Sequence, residues 1–191
     1  MKSIVLFAIA SIVLGIALPQ AKAADTYNVD GVHSYALFKI KHLAVGYSYG
    51  RFNEVSGTLS LDTARPEKSS VELTVKAASV DTANPKRDQH LKSPDFFNAK
   101  QFPEITFKST SVKLTGKDTA AVTGELTLHG VTRTIVAEVA HTGSGKDPWG
   151  GVRAGFEATF SVKRSDFGMT FMQDGLSDEV QVIVSVEGVK G

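Results

Sequence analysis

Five histidines are the side chains of this 191-residue chain best suited to metal binding or acid–base chemistry. They are His33, His42, His90, His129 and His141. None of them forms an H-x-H or H-x-x-x-H pair, and the sequence contains no cysteine. Because zinc sites usually combine closely spaced histidines and cysteines, we predict no metal ion and no other cofactor.

The sequence also lacks the motifs of nucleophilic and carboxylate catalysis. It has no G-x-S-x-G motif, and the GSG at Gly143–Gly145 is predicted to lie in a hairpin loop, without the strand-turn-helix context of a nucleophilic serine. Asp and Glu residues fall mostly in turns or on outward faces, so no pair is placed to act as acid and base. We therefore predict that the protein is not an enzyme.

The elements that would position any site are β-strands, because apolar and polar residues alternate along most of the chain. In the first strand, residues 35–43, one face carries Ala36, Phe38, Ile40 and His42. Seven more alternating segments follow, at residues 55–61, 71–77, 105–107, 122–128, 133–141, 152–162 and 180–186. Eight long antiparallel strands, each with one apolar face, predict an all-β sandwich or a closed barrel, and closure would remove exposed strand edges.

Residues 83–104 interrupt the alternation between the third and fourth strands. Asn84-Pro85 and Ser93-Pro94 each place a capping residue before a proline, which is typical of helix starts. We therefore predict short helices near residues 85–92 and 94–99. Phe96 and Phe97 are expected to anchor this segment as a packing cap, and the alternative is that they plug or line one mouth of the barrel.

Small residues on the inward faces favour an internal cavity. They are Ala36, Gly57, Ala77, Gly124, Ala154 and Ala158. An eight-stranded barrel is just wide enough either to be filled by side chains or to hold one small ligand. Filling of the interior by neighbouring phenylalanines is the open alternative.

Two polar residues, His42 and Arg164, continue inward apolar faces. A buried cation is costly unless it is paired, so each is expected to lie at a mouth or to meet an anion or a hydroxyl. For His42 the alternative is a partner within the fold. For Arg164 it is pairing with Asp166 or leaving the barrel at the strand end. The glycines and tyrosines after His42 are predicted to form a strand end and a turn, where the barrel would open.

The first 23 residues read as a cleavable signal peptide. Met1-Lys2 is a basic start, residues 4–18 are almost unbroken apolar, and Ala21-Lys22-Ala23 is a small-x-small cleavage site. The apolar run is shorter than the roughly 20 residues of a membrane-spanning helix, although an uncleaved anchor is the alternative. We expect a signal peptide at residues 1–23, one mature domain at residues 24–191, and a periplasmic location.

The charge balance gives no reason to expect a nucleic-acid partner. The full chain carries a net charge of +1, and removing residues 1–23 would remove Lys2 and Lys22 and no acidic residue, leaving −1. Nucleic-acid binding relies on many basic contacts with phosphates, which a nearly neutral chain does not supply.

Four segments in order resemble the YceI family of exported proteins, and the similarity runs from about Tyr27 to the C-terminus. They read VDGVHSYALFKIKHL, SVDTANPKRDQHLKSPDFFNAKQFPEITFKST, GELTLHGVTRTIVAEV and RAGFEATFSVKRSDFG. The resemblance implies an eight-stranded antiparallel lipocalin-like barrel with a short helical insertion. It also implies binding of a long amphiphilic lipid, such as a polyisoprenoid, a quinone-like molecule or a fatty-acyl derivative, by a periplasmic and often dimeric protein.

We combine the resemblance and the alternation into a hypothesis for the ligand site. The tunnel wall is predicted to consist of Phe38, Ile40, Val75, Phe156, Ala158, Phe160 and Val182. His42 and Arg164 are predicted to contact the head group. Residues 167–176, which include Met169 and Met172, would form a flexible flap, or alternatively a surface connection that tucks two apolar residues inward.

The expected partners are an isoprenoid-like or fatty-acyl lipid, a second copy of the chain, and transiently a membrane. Tyr35 and Leu37, on the outward face, are compatible with a dimer or partner surface. Two alternative functions stay open at this point. One is an enzyme that acts on a bound lipid with His42 as the base, and the other is an interaction module whose interior is filled by its own side chains.

Overall fold

A computed structural model describes residues 24–191, so the predicted signal peptide lies outside the described residues. The strands, in chain order, are β1 (Asp25–Val29), β2 (Tyr35–His42), β3 (Gly46–Phe52), β4 (Val55–Leu61), β5 (Ser70–Lys76), β6 (Val80–Asp81), β7 (Glu104–Leu114), β8 (Thr119–Leu128), β9 (Val131–Lys146), β10 (Val152–Lys163) and β11 (Leu176–Lys190). The helix α1 spans Pro85–Leu91, and short 3-10 turns occupy Pro66–Lys68, Ala77–Ser79 and Arg164–Phe167.

The strands close into one antiparallel barrel. β11 pairs with β2 along its first part and with β1 near its end, so β1 and β2 are two halves of one interrupted strand. β3 pairs with β2, and β4 pairs with β1, which makes β3 and β4 a second interrupted strand. Counted in this way, the ring continues through β5, β7, β8, β9, β10 and β11. The prediction of an eight-stranded antiparallel barrel with a short helical insertion is confirmed.

The prediction that the glycines and tyrosines after His42 form a strand end and a turn was wrong, because Gly46–Phe52 form β3. The turn is made instead by Leu43 and Ala44, which have positive φ angles of 50° and 55°. The Val45 amide donates to the His42 carbonyl at 3.0 Å, which closes this turn. Glycine usually marks a turn. Here the glycines lie within β3, and the turn is formed by two apolar residues.

The first predicted helix is confirmed as α1, and the second prediction was wrong. Asn84 caps α1 by accepting a hydrogen bond from the Arg87 amide at 3.1 Å, and Pro85 occupies the first turn. Residues 94–99 form turns that fold back over the end of α1. The Phe97 amide donates to the Leu91 carbonyl, and the Ala99 amide donates to the Lys92 carbonyl. These bonds satisfy the carbonyls at the helix end without a second helix.

The connections divide between the two ends of the barrel. α1, the β2–β3 turn and residues 164–175 lie at one end, which we call the helix end. The β4–β5, β7–β8 and β9–β10 connections lie at the other, which we call the hairpin end. Along the interior, apolar side chains from both sides of the ring pack into three clusters, centred on Phe52, Phe167 and Leu59.

Arg153 joins strands at the hairpin end on the outer surface. Its guanidinium donates to Asp30 Oδ2 at 2.8 Å, to Asp147 Oδ2 at 2.9 Å and to Glu187. This contact, with a further one from His33, holds the pKa of the Asp30 carboxyl well below its usual range. The network ties the segment between β1 and β2 to β10 and β11, beside the interruption between β1 and β2.

Replacing Asp30 with Asn should destabilise the barrel in a pH-dependent way. A carboxyl whose pKa is lowered by folding stabilises the fold above the pKa of the unfolded chain, about 4, and loses that contribution as the pH falls further. At pH 7, urea denaturation should show a free energy of unfolding lower by roughly 1–3 kcal/mol. The difference in free energy of unfolding between the wild type and the variant should become smaller below about pH 4. A gap that is constant from pH 7 to pH 3, or equal to that of the exposed control Asp174→Asn, would contradict this account.

Candidate ligand cavity

A largely apolar cavity of about 830 Å³ lies inside the barrel. Its lining extends from Leu91 and Phe96 at the helix end to Leu114 and His141 at the hairpin end. Ligand pockets in proteins usually measure about 300–1,000 Å³, so the space is large enough for a long, slender ligand. It is enclosed by the inward faces of the strands, as the alternation requires.

All nine residues predicted to bind ligand line this cavity. They are Phe38, Ile40, His42, Val75, Phe156, Ala158, Phe160, Arg164 and Val182. On the wall formed by β10 and β11, Ala158 lies opposite Val184, and Phe160 lies opposite Val182. The side chains of these four residues on β10 and β11 are only half-buried, because they border the cavity instead of packed neighbours. Their role in binding ligand stays a prediction.

The small inward residues contribute to the cavity in only two of six cases. Ala36 and Ala158 line it. A Cβ atom at Gly124 would lie 2.4 Å from the Phe107 ring, and one at Gly57 would lie 2.1 Å from a backbone carbonyl of β5. These glycines therefore allow close approach of a ring or a strand. The cavity is present, but the small residues do not by themselves explain it.

Aromatic side chains fill part of the barrel near the helix end. Phe97 packs against Phe52 with ring centroids 5.1 Å apart and against Phe38 at 6.2 Å. Phe97 also lines the cavity. It therefore anchors the helical insertion, as expected, and forms part of the cavity wall at the same time.

A second aromatic group bridges the insertion and the loop at residues 164–175. The His90, Phe96 and Phe171 rings meet edge to face, with centroids 5.0–5.3 Å apart. Such contacts contribute roughly 0.5–1.5 kcal/mol each beyond area burial. The group covers part of the helix end, so a ligand that enters there would pass beside it.

His42 lies at the rim of the helix end. It shares the inward face with Phe38 and Ile40, lies opposite Gly46 on β3, and lines the cavity. Its side chain is nevertheless exposed, because the strand ends there and Leu43 begins the turn. The predicted face was right, and His42 is accessible both to solvent and to anything held at this mouth.

Arg164 takes neither of the two alternatives considered from sequence. It is only 3% exposed, and its guanidinium donates to the carbonyls of Met169, Phe171, Leu176 and Ser177 at 2.6–3.2 Å. Burial lowers the pKa of Arg164, and the negative charge of Asp178 partly offsets this effect. Four of its five N–H donors are therefore engaged and join the loop to the start of β11. A contact between Arg164 and a ligand head group stays a prediction.

The loop after Arg164 combines buried and exposed residues. Phe167 and Met169 are buried, while Phe171 and Met172 are exposed. Met169 and Met172 both line the cavity. The loop thus tucks two apolar residues inward, in line with the alternative of a surface connection, and its mobility as a flap stays a prediction.

One group of side chains among residues 24–191 has the composition of a metal site. Donor atoms of Asp30, His33 and Glu187 lie within 4.8 Å of one another. The Arg153 guanidinium already binds Asp30 and Glu187. A cation in that position supplies the charge that a metal would bring, so the group is explained as an ion-pair network.

Among the polar residues that line the cavity at the hairpin end, sequence reasoning missed a hydrogen-bonded pair, His141 and Ser144. The GSG segment that contains Ser144 was predicted to be a loop, and it lies within β9. Isolated glycines inside a strand are a signal of a β-bulge, and the pairing of β9 with β10 shifts register there. Gly143 and Gly145 could have indicated this bulge.

The outer surface beside the helix-end mouth is apolar and basic. Leu43, Val45, Tyr47 and Tyr49 are 54–90% exposed, and we call these four residues the mouth surface. Lys39 Nζ lies 4.2 Å from the centroid of the Tyr47 ring. Residues 35–52 contain no Asp or Glu. In the part of the chain that the structure describes, no helix is long and apolar enough to cross a membrane.

Comparisons with known proteins give one consistent family. Residues 27–188 match the family model of the YceI-like domain. A UPF0312 protein of Ectopseudomonas mendocina is 48% identical over 187 residues, covering 96% of this chain and 97% of that protein. A UPF0312 protein of Azotobacter vinelandii is 46% identical over 191 residues, covering 99% and 98%.

Solved structures agree with the fold. BcnA of Burkholderia cenocepacia superposes with a TM-score of 0.76 at 25% identity, covering 83% of this chain and 98% of BcnA. The YceI protein of Campylobacter jejuni gives a TM-score of 0.72 at 34% identity, covering 80% and 91%. A domain of Saccharophagus degradans described as polyisoprenoid binding gives 0.68 at 18% identity, covering 89% and 100%. At that identity the likeness shows the fold alone.

Proposed function

The chain belongs to the YceI-like family, and from this premise we propose that it is a periplasmic, non-catalytic carrier that holds the tail of a long amphiphilic lipid inside its barrel. The observation that carries the proposal is the apolar cavity of about 830 Å³, which follows the barrel from end to end. Burying about 16 methylene groups contributes roughly 13 kcal/mol before association costs. Apolar walls of the right width therefore suffice for tail binding.

An isoprenoid-like or fatty-acyl tail is the ligand class that we favour. The Saccharophagus degradans domain with the same fold is described as polyisoprenoid binding. The wall alternates aromatic and branched aliphatic side chains, such as Phe160 and Val182, and these suit a branched or a linear chain equally. Selectivity must then come from the few polar groups that face the cavity.

A periplasmic location is supported by the sequence of residues 1–23. Their basic start, apolar run and small-x-small site are typical of a cleaved export signal. A carrier of poorly soluble lipids is useful in a compartment that separates two membranes. We therefore propose that the mature protein, residues 24–191, meets its ligand there.

Transient contact with a membrane is part of the proposal, and the mouth surface supports it. Apolar side chains flanked by Lys39 and Lys41 match the chemistry of a bilayer with anionic head groups, and each nearby Lys or Arg contributes about 1 kcal/mol to such binding. The cavity lining includes Tyr49 of this surface. A lipid could pass between bilayer and barrel here without crossing water.

The double variant Leu43→Asp/Val45→Asp should lose its association with membranes. Two carboxylates at the tip of the β2–β3 hairpin would remove apolar contact and repel anionic lipids. In co-sedimentation with vesicles of phosphatidylethanolamine and phosphatidylglycerol, the bound fraction should fall at least about fivefold, while Val136→Asp, on the exposed face of β9, should bind as the wild type does. Equal sedimentation of the double variant and the wild type would show that the mouth surface does not bind the membrane.

A homodimer is a further proposal, supported by exposed Tyr35 and Leu37 on the outward face of β2. Gel filtration with light scattering gives the mass directly. A mass equal to that of one mature chain at micromolar concentration would show a monomer, and the proposed carrier function does not depend on the outcome.

Binding of a chain-length series tests the function. Saturated carboxylic acids of 10, 12, 14 and 16 carbons should displace a fluorescent fatty acid with rising affinity, up to about tenfold for each two carbons, because each buried methylene contributes about 0.8 kcal/mol. The ligand recovered by extraction should be chemically unchanged. Affinity that does not depend on chain length, or recovery of a modified product, would contradict a non-catalytic tail carrier.

A further inference from the structure

The polar side chains at the helix end are largely engaged within the protein. Arg164 binds the carbonyls of Met169 and Phe171 in its own loop and those of Leu176 and Ser177 at the start of β11. Arg87 donates to the hydroxyl and the carbonyl of Thr82, both at 2.7 Å. His90 Nε2 lies 2.8 Å from Asp95 Oδ2. This mouth therefore offers a ligand few polar groups that are not already bound.

The hairpin end presents a different arrangement, created by a β-bulge in β9. Phe156 lies opposite His141, while its neighbour Gly155 lies opposite Gly143, so Thr142 is an extra residue in β9. A bulge re-aims the side chains on either side of it. As a result His141 and Ser144, three residues apart, both face inward and line the cavity, which strict alternation would not allow.

His141 and Ser144 are bonded to each other. His141 Nε2 lies 2.8 Å from Ser144 Oγ, and the imidazole packs on Phe156 with ring centroids 5.2 Å apart. The His141 amide donates to the Asp118 carbonyl at 2.8 Å, which fixes the backbone at this point. The pair is thus held in place by the strand, the bulge and an aromatic wall residue.

The pair keeps a hydrogen-bond donor in either histidine tautomer. If the Ser144 hydroxyl donates to Nε2, the Nδ1–H of His141 is left as a donor. If Nε2–H donates to Ser144 Oγ, the hydroxyl proton is left. The pair can therefore donate to an acceptor oxygen of a ligand in either tautomer, and it can also accept a hydrogen bond through Ser144 Oγ or His141 Nδ1.

We propose that His141 and Ser144 bind the polar head of the lipid at the hairpin end, and that the head carries an acceptor oxygen such as a hydroxyl, carbonyl or carboxylate. This inference rests on the proposed carrier function. It orients the ligand, with the head at the β9 bulge and the tail pointing towards Phe160, Val182 and Met169 near the helix end. This orientation replaces the head-group contacts predicted from sequence for His42 and Arg164. Lys117 and Asp118 both line the cavity at this end, so the charges there do not select a carboxylate over a hydroxyl or a carbonyl.

The test compares probes that share one tail. Hexadecane, 1-hexadecanol and hexadecanoic acid are each titrated in competition with a fluorescent fatty acid. The wild type should prefer the two oxygen-containing probes to hexadecane by about tenfold, the equivalent of one or two hydrogen bonds. The variant His141→Leu/Ser144→Ala should bind hexadecane as the wild type does and lose most of this preference.

A matched variant at the opposite mouth separates the two ends. His42 and Ser48 also line the cavity, so His42→Leu/Ser48→Ala makes the same chemical change at the helix end and should keep the preference. The inference is overturned if the hairpin-end variant keeps the preference or the helix-end variant loses it. It also fails if the wild type binds all three probes equally, although the carrier function then stands. If the wild type binds none of the probes, the carrier function fails and this inference fails with it.

Discussion

Replacing Ala158 with tryptophan should weaken lipid binding at least about 100-fold while the barrel stays folded. Ala158 lies in the middle of β10, opposite Val184 on β11 and Val139 on β9, and its side chain lines the cavity. An indole at this point would occupy the part of the cavity that we propose holds the lipid tail. If it displaces only four methylene groups, about 3 kcal/mol of burial is lost, which weakens binding roughly 100-fold.

The control for this experiment is the adjacent substitution Thr159→Trp. Thr159 is exposed on the outer face of the same strand, so it adds the same indole outside the barrel. Circular dichroism and thermal unfolding should show folded protein for both variants, because the Ala158 side chain borders empty space. Equal loss of binding in both variants, or undiminished binding in Ala158→Trp, would show that the tail does not occupy the cavity.

Replacing Arg164 with methionine should destabilise the protein strongly. The change leaves the carbonyls of Met169, Phe171, Leu176 and Ser177 without the guanidinium that binds them. An unsatisfied buried acceptor costs about 1–3 kcal/mol. With some of the four carbonyls reaching water, we expect a loss of about 3 kcal/mol or more in the free energy of unfolding, measured by urea denaturation.

Two further variants sharpen the Arg164 prediction. Lys163→Met removes the neighbouring exposed cation in the same chemical way and should change stability by less than about 0.5 kcal/mol. Arg164→Lys should be intermediate, since an ammonium group cannot reproduce the planar fork of donors. If Arg164→Met is as stable as Lys163→Met, the guanidinium does not hold the loop at residues 164–175.

Much of the wall of the cavity could be predicted from the sequence because side chains in a strand alternate strictly between two faces. A spacing of two residues was enough to place three side chains of β10 on one face, those of Phe156, Ala158 and Phe160. The alternation also placed His42 on the inward face, although spacing says nothing about where a strand ends. Burial depends on that end, and the turn at Leu43 exposes His42.

Features that depend on contacts between distant segments were not predictable in this way. Arg164 has the spacing of an inward residue, but its partners are backbone carbonyls of the following loop and of the start of β11. No sequence pattern marks which carbonyls an arginine will bind. Gly143 and Gly145 hint at a bulge in β9, but only the pairing with β10 places the extra residue at Thr142 and shows that His141 and Ser144 share a face. The prediction of a second helix was wrong for a similar reason. The backbone after Ser93-Pro94 forms hydrogen bonds back to the carbonyls of Leu91 and Lys92 instead of continuing as a helix.

The most direct test of the central claim is native mass spectrometry of the mature protein purified from bacterial periplasm, followed by organic extraction. The wild type should carry a stoichiometric adduct that organic solvent releases as an amphiphilic lipid with a long apolar tail. The adduct should be missing from Ala158→Trp and present on Thr159→Trp. A wild-type spectrum that shows only the mass of the bare chain, or an adduct that Ala158→Trp retains in full, would contradict the claim that the barrel carries a lipid.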